Sequence, residues 1–308
     1  MANRVVVVGS INMDLVTRTD KIPEPGETVL GGDLTTFPGG KGANQAVAAA
    51  RMGAKVAMIG HVGNDLFAEQ LQAGLAADNI DHRFVTNKSV ASGVALIVVD
   101  ASGQNSIVVA PGANSRLSPA DVESAITVIK SGDVMLLQLE VPLESILRAA
   151  QLAKDNGVLV ILNPAPVQTL SPELLALVDV LIPNESEAAV LSGMTVGDEE
   201  GLKSAAREIH ALGVGTIVFT LGERGAFLSD GDLFSYFPAY PIEQVVDTTA
   251  AGDSFVGGFA VALAEGKSLE TAILWGCAAG ALAVMRTGAQ PSIPTRAEVE
   301  SLLESNQE

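Results

Sequence analysis

The chain has 308 residues, 48% of them hydrophobic, and a formal net charge of −18. So acidic a protein is not expected to bind nucleic acid or an anionic membrane, both of which need a basic face, and no apolar run approaches membrane-spanning length. A single cysteine, Cys277, excludes an intrachain disulfide, and no Cys/His spacing suggests zinc.

Val5-Val6-Val7-Val8 reads as a strand buried on both faces. Met1-Ala2-Asn3-Arg4 leads straight into it, so no export signal is expected and the cytoplasm is the expected location. Asn12-Met13-Asp14 follows at the carboxyl end of that strand. Residues 15–37, with Pro23, Pro25-Gly26 and Gly31-Gly32, break into short β-like pieces. A helix is predicted over 42–52, a strand over 55–60 and a helix over 66–78. Residues 93–109 read as two strands around Asp100-Ala101-Ser102-Gly103, a hairpin signal.

Ser118-Pro119 is a good N-cap and first-turn pair for a helix over 119–130. Buried strands are predicted over 134–139, 158–162, 180–182 and 216–220, and helices over 143–156 and 202–212. The end of the chain, from Ala251 through Met285 and again over 295–304, is mostly helical.

Strand alternating with helix indicates an α/β fold, a doubly wound and mostly parallel sheet with helices on both faces. We expect one unit over 1–308, with a small β-sheet lid formed by residues 13–37 and 92–111. The alternative is that the lid strands belong to the main sheet. The stretch 94–99 carries apolar side chains on both faces, so one face of a lid could cover substrate while the other packs on a second copy of the chain. Ligands of such sheets bind beyond the carboxyl ends of the strands.

The chemistry concentrates at Asp247-Thr248-Thr249-Ala250-Ala251-Gly252-Asp253-Ser254-Phe255. A helix predicted from there to about residue 264 leaves its first-turn N–H groups free for an anion. Ala250-Ala251-Gly252 has no bulk to keep a phosphate away. Asp253 is a poor phosphate ligand but a suitable base for a hydroxyl attacking phosphorus. The plainer reading is an acidic residue complementing a helix dipole. No G-x-x-x-x-G-K-[ST] and no G-x-G-x-x-G is present. His61, His82 and His210 sit in no nucleophile arrangement and are expected to be structural, His210 as a surface or dipole-complementing residue.

Gly39-Gly40-Lys41-Gly42-Ala43-Asn44-Gln45-Ala46, with Gly53 and Gly63 beyond it, forms a second distinctive segment. Its glycines let backbone approach a polar ligand, and Asn44 offers both a donor and an acceptor to a sugar. Together the two segments resemble the ribokinase/PfkB group of carbohydrate kinases, over nearly the whole chain.

The resemblance implies that Asn12, Asp14, Gly40, Lys41, Gly42, Asn44 and Glu140 bind the sugar, and that Ala250, Ala251, Gly252 and Asp253 form the catalytic anion hole and base. It places ATP at Asn184, Thr220, Gly222, Glu223, Gly225 and Gly252, with the adenine edge near Cys277, where many relatives are more polar. It assigns Asn184 and Glu187, three residues apart, to Mg²⁺ and its waters. It also implies a K⁺ site at Asp247, Thr249, Ala283, Arg286, Gly288 and Ser292, mostly through backbone carbonyls, and a homodimer formed through the lid.

Aromatic residues are only 4% of the chain, and neither sugar segment holds a stacking Tyr or Trp, which disfavours a nucleoside. Lys41 is the sole cation in those segments, which favours an uncharged sugar. D-ribose, phosphorylated at its terminal hydroxyl, is the expected substrate. A 2-deoxyribokinase, a nucleoside kinase and a catalytically silent sugar or nucleotide sensor are the alternatives.

Overall fold

In the computed structural model, which describes residues 3–231 and 233–306, the apolar runs become strands that divide their side chains between two cores. The outermost residues of the expected 1–308 unit lie outside the described residues. Val5 and Val7 of β1 (Arg4–Val8) enter one core and Val6 and Val8 the other. Val134 and Leu136 of β8 (Val134–Leu137) likewise oppose Met135 and Leu137. A strand buried on both faces needs helices on both, which is why it reads as a continuous apolar run.

Among the described residues the remaining strands are β2 (Asn12–Arg18), β3 (Thr35–Gly39), β4 (Lys55–Val62), β5 (Asp81–Asn87), β6 (Gly93–Val99), β7 (Asn105–Ala110), β9 (Leu159–Leu162), β10 (Val180–Leu181), β11 (Thr216–Thr220), β12 (Ala226–Asp230) and β13 (Leu233–Phe237). They form a nine-stranded sheet of order β13-β12-β11-β10-β9-β8-β1-β4-β5 and a four-stranded sheet of order β3-β2-β6-β7. The large sheet is parallel from β5 to β11, and only its β12–β13 edge is antiparallel.

The strands of 13–37 and 92–111 therefore make a sheet of their own rather than extending the main one. Within it β2 pairs in parallel with β6, while β3 and β7 are antiparallel to their neighbours. Ala95 and Ile97 are buried, Leu96 is exposed, and all of β7 is exposed.

Several boundaries differ from expectation. Residues 119–130 divide into the helices Pro119–Ser124 and Ile126–Ile129, broken at Ala125, although Ser118 does cap the first with a capping box. The helix expected to end near residue 264 does end at Ala264, and a second, Leu269–Ala283, follows it after Gly266 at φ 77. The helix predicted over 202–212 starts at Glu199, because Asp198 caps it. The strand predicted over 134–139 ends at Leu137, where the chain turns into the site. Strands β5, β12 and β13 had no expectation. β5 and β13 are the edge strands, where half-exposed residues lose the continuous apolar signature, whereas β12, one place in from the edge, is buried over 226–229.

His61, His82 and His210 are structural, as expected. His61 is buried beside Thr86 and Asp121, and His82 meets the carbonyl of Ile80. His210 is less of a surface residue than expected: its ring nitrogens meet the Val214 carbonyl at 2.8 Å and the Ser229 hydroxyl at 2.7 Å.

Candidate active site

Two helices that pack on each other bring the distant segments together. The helix Ala251–Ala264 begins at Ala250, which adopts the left-handed conformation (φ 60, ψ 9). That conformation costs a residue with a Cβ about 1 kcal/mol and is held only where surroundings enforce it. It turns the chain so that the first helical turn faces open space. Ser254 N–H donates to Ala250 O at 2.8 Å and Ala251 N–H to Thr248 O at 3.3 Å. No group among the described residues accepts from the N–H groups of Gly252 and Asp253, and Ala250 supplies no side-chain cap. Unpartnered N–H groups at a helix start are an anion site. A Cβ added at Gly252 would meet nothing within 4 Å, so there is room for that anion.

Asp253 stands beside them, only 7% exposed. Asn44 Nδ2 donates to its Oδ2 at 2.9 Å, and Gln45 Nε2 donates to its Oδ1 at 3.1 Å. Both donors come from the first turn of the helix Lys41–Arg51. Each carboxylate oxygen keeps a lone pair for a substrate hydroxyl. Asn44 Oδ1 is buried with no partner among the described residues, an acceptor left open next to the base.

The remaining sugar candidates converge at the same place. Asn12 and Asp14 lie on β2, directly after β1, and both are buried. Gly39 and Gly40 pass so close that a Cβ on Gly39 would sit 2.3 Å from Asp14 Oδ2, while Gly40 needs φ 88 to start the helix. Glu140 Oε2 accepts from Ser10 Oγ at 2.5 Å, Lys41 N–H at 3.2 Å and Asn12 Nδ2 at 3.5 Å. Asn114 accepts from Ile11 N–H at 3.0 Å and donates to Asn12 Oδ1 at 2.7 Å, which fixes the direction of the Asn12 amide.

Three carboxylates around one cavity make it strongly negative. Burial, then Glu140 and Asp253, push Asp14 up to about 7, with Lys41 acting against them. Burial alone would disfavour the charged Lys41. Asp253, Glu140, Glu187 and Asp14 outweigh it and hold the ammonium above its ordinary value. Lys41 is thus a charged counter-ion to the whole cluster rather than a ligand of one group.

The nucleotide candidates line the ends of β10 and β11. Asn184 and Thr220 face each other across an isolated parallel bridge, and Thr220 N–H donates to Pro183 O at 2.9 Å. Gly222 and Gly225 take φ 57 and 99 in the following turn, which contains Glu223. Cys277 is buried in the helix Leu269–Ala283, and burial pushes its thiol up to about 12, so it is neutral and packs like a small apolar residue.

Asn184 and Glu187 are not two positions on one helical face. Asn184 is the N-cap of the helix Glu185–Ser192, with its Oδ1 accepting from Glu187 N–H at 2.8 Å, and Glu187 Oε2 accepts in return from Asn184 N–H at 2.9 Å. That capping box uses the Asn184 oxygen and leaves Glu187 Oε1 as the oxygen open to a hydrated cation. Burial raises Glu187, against the Asn184 N–H and Lys41.

Asp247 braces the other loop. Its Oδ1 accepts from Thr249 N–H at 2.9 Å and Thr249 Oγ1 at 2.6 Å, and its Oδ2 from Gly288 N–H at 2.9 Å. Burial would raise it, but these donors hold it below its usual value, so it is ionised. No described Lys or Arg forms a salt bridge with it. A half-buried carboxylate with no salt bridge among the described residues, eased only by the nearby charge of Arg18, suits a monovalent cation. The Arg286 side chain turns away to Glu298, leaving only its backbone for such a role. Ser292 Oγ donates to Ala289 O at 2.8 Å, and the Ala283 carbonyl accepts from Arg286 N–H at 3.2 Å.

A family model described as "pfkB family carbohydrate kinase" matches residues 2–296. The chain is a pfkB family carbohydrate kinase. As a member it is a phosphotransferase acting on an alcohol, and the pairing of anion site with buried carboxylate is the geometry such a kinase needs. A curated relative, the ribokinase of Haemophilus influenzae, is 46% identical over 305 residues, covering 99% of both chains. A deoxyribokinase of Salmonella typhi is 37% identical over 305 residues, covering 98% of this chain and 99% of its own. Among solved structures, an Arabidopsis thaliana ribokinase complexed with ribose and ATP superposes with a TM-score of 0.90 at 35% identity, covering 99% of each chain.

Sequence reasoning assigned no role to Gln45, Gln138, Asn163, Ser10 and Asn114, all of which the structure joins to the site. A signal was present for two of them. Gln138 and Asn163 each follow a buried apolar strand directly, as Asp14 and Glu140 nearly do.

Proposed function

We propose that this pfkB family kinase transfers the γ-phosphoryl group of ATP to the 5-hydroxyl of D-ribose, giving D-ribose 5-phosphate and ADP. The observation that carries the reading is the pairing, on one helix turn, of the buried Asp253 carboxylate with the unpartnered N–H groups of Gly252 and Asp253. Ribose is held by Asn12, Asp14, Asn44 and Glu140, with its 5-hydroxyl donating to Asp253. The carboxylate takes the proton as the hydroxyl oxygen bonds to phosphorus and the bond to the ADP oxygen breaks. The Ala250–Asp253 turn holds the charge that develops on the phosphoryl oxygens. Beyond that proton transfer, catalysis is mainly positioning and electrostatics.

Glu187, whose Oε1 the capping box leaves open, would help the phosphates hold a hydrated Mg²⁺, which would supply charge neutralisation there. Asp247, Thr249, Gly288 and Ser292, with the Ala283 and Arg286 carbonyls, would hold K⁺, which would supply positive charge near the anion site. The four-stranded sheet serves as a lid over the sugar. On its outer strand Val108, 62% exposed, pairs with the exposed Leu96, and this apolar patch supports a homodimer through that face. No described helix is long and apolar enough to cross a membrane, and ATP use suits the cytoplasm.

An ATP-coupled assay over ribose, 2-deoxyribose and ribonucleosides tests the substrate. We expect kcat/KM for ribose to exceed that for each of the others by at least about tenfold, because a buried acceptor left without its hydroxyl is costly. A ratio favouring 2-deoxyribose would convert the reading to a deoxyribokinase, and no turnover with any sugar would favour a sensor.

Gly252→Ala is a separate test of the anion site. The added methyl meets nothing in the protein, and alanine is the better helix former by about 1 kcal/mol. The variant should fold with Tm unchanged or raised, yet lose about tenfold or more in kcat, since the methyl occupies space the phosphoryl group needs. Wild-type turnover would move the phosphate away from this turn.

A further inference from the structure

Gln45 directly follows Asn44 in the Gly39–Ala46 segment and is fully buried. Its two amide hydrogens go to Asp253 Oδ1 and Asn163 Oδ1, each at 3.1 Å, and its Oε1 accepts from Gln138 Nε2 at 2.6 Å. We infer that Gln45 is a positioning residue for the reaction: held in one amide orientation by Gln138 and Asn163, it aims the Asp253 carboxylate at the sugar hydroxyl. The inference rests on the reading of Asp253 as the base.

The orientation is determined from both ends. Asn163 Nδ2 donates to the Ile182 backbone carbonyl at 2.9 Å, a group that can only accept, so Asn163 must turn its oxygen to Gln45. Asp253, read as the base, presents a carboxylate that can also only accept. Reversing the Gln45 amide would set its oxygen against two acceptors, and Gln138, whose own Oε1 has no partner among the described residues, turns its donor to the oxygen that these two acceptors leave it. A single direction therefore survives through the network. Asn44, the other donor to Asp253, has no such lock, because its own Oδ1 is unpartnered. Of the two amides gripping the base, Gln45 is the fixed one and Asn44 the one free to adapt to the sugar.

The strand ends supply the support. Gln138 follows β8 and Asn163 follows β9, so the rigid centre of the parallel sheet reaches the base through one glutamine. Misplacement of a reacting group by about 1 Å can lower a rate by roughly a hundredfold. The lock matters most as the sugar hydroxyl donates its proton, when the carboxylate must not rotate away.

The test uses Gln45→Met, which keeps the volume and removes the polar contacts, in the wild-type and Asp253→Ala backgrounds. Kinetics are combined with ribose Kd from calorimetry. We expect Q45M to lower kcat about tenfold to a hundredfold while the ribose Kd stays within about threefold. In the D253A background, with no carboxylate left to aim, Q45M should change the residual rate by less than about twofold.

The same fold loss in both backgrounds would show a merely structural glutamine and overturn the inference. So would wild-type kcat in Q45M. If Q45M does not fold, Gln138→Met decides, since it strips the contact at Gln45 Oε1 and loosens one side of the lock without touching Asp253. A kcat lowered about threefold or more at unchanged Kd supports the lock, and wild-type kcat overturns it. Wild-type turnover in D253A itself would remove the base reading and this inference with it, whereas ribose turnover that is lost only in D253A leaves the base reading standing whatever Q45M does.

Discussion

Asp253→Asn should retain ATP binding and lose about a thousandfold or more in kcat, because the amide cannot take the proton of the attacking hydroxyl. The hydrogen-bond network adds a second consequence. Asn44 Nδ2 and Gln45 Nε2 both donate to Asp253, one to each oxygen. An asparagine at 253 has one acceptor and one donor, so its NH₂ must meet one of those donors. Gln45 is anchored by Gln138 and Asn163. Asn44 alone can reverse, offering its now unpartnered Oδ1 to residue 253 and its NH₂ to the sugar. The variant should therefore raise the ribose KM as well, by about tenfold, the effect of presenting a donor where an acceptor belongs. Turnover and nucleotide affinity measured together check this. A loss under about tenfold in kcat would remove Asp253 from the base role.

The order of strands and helices was legible because the central strands are buried on both faces and carry no polar residue until they end. β1, β4, β8, β9 and β11 were all found within two residues at either end. The same logic fails at the sheet edges. β13 has no buried residue, and β5 has one, so neither has an apolar run to read. The break at Ala125 involves neither Pro nor Gly, and nothing local marks it.

At the site, Asp253 and Asn44 were legible from their place at helix starts, and Asp14 and Glu140 from their place after strands. The link between Asn44 and Asp253 spans 209 residues and exists only because the helices Lys41–Arg51 and Ala251–Ala264 pack together. The capping box of Asn184 and Glu187 was hidden by its own ambiguity. An N-x-x-E spacing serves equally for a shared helical face and for a reciprocal cap, and only geometry tells them apart.

Asp14 should prove the site's most destabilising side chain. Burial, Glu140 and Asp253 push it up to about 7, against a reference of 3.8. Below the reference value it is protonated in folded and unfolded chains alike, and it imposes no penalty. As pH rises toward 7 the unfolded chain releases the proton while the folded chain keeps it, so stability falls. Above 7 the folded protein carries the full penalty, on the order of 4 kcal/mol before a sugar binds.

Asp14→Asn should therefore be more stable than the wild type at pH 8 and show a flatter Tm between pH 5 and pH 8. The same substitution should weaken ribose binding about tenfold to a hundredfold, since hydrogen bonds to a charged acceptor are the strong ones. In the wild type the ribose KM should rise as pH falls through about 7, because protonation removes that acceptor. Thermal melts at the two pH values, with ribose titrations beside them, read both effects. A flat ribose KM from pH 5.5 to 8.5 together with an unaltered melt in the variant would mean that Asp14 neither meets the sugar nor strains the cavity. A gain in stability won at the expense of sugar affinity would show instead that the enzyme keeps its carboxylates crowded, with Lys41 alone among them, because the sugar hydroxyls and the phosphoryl transfer require that charge.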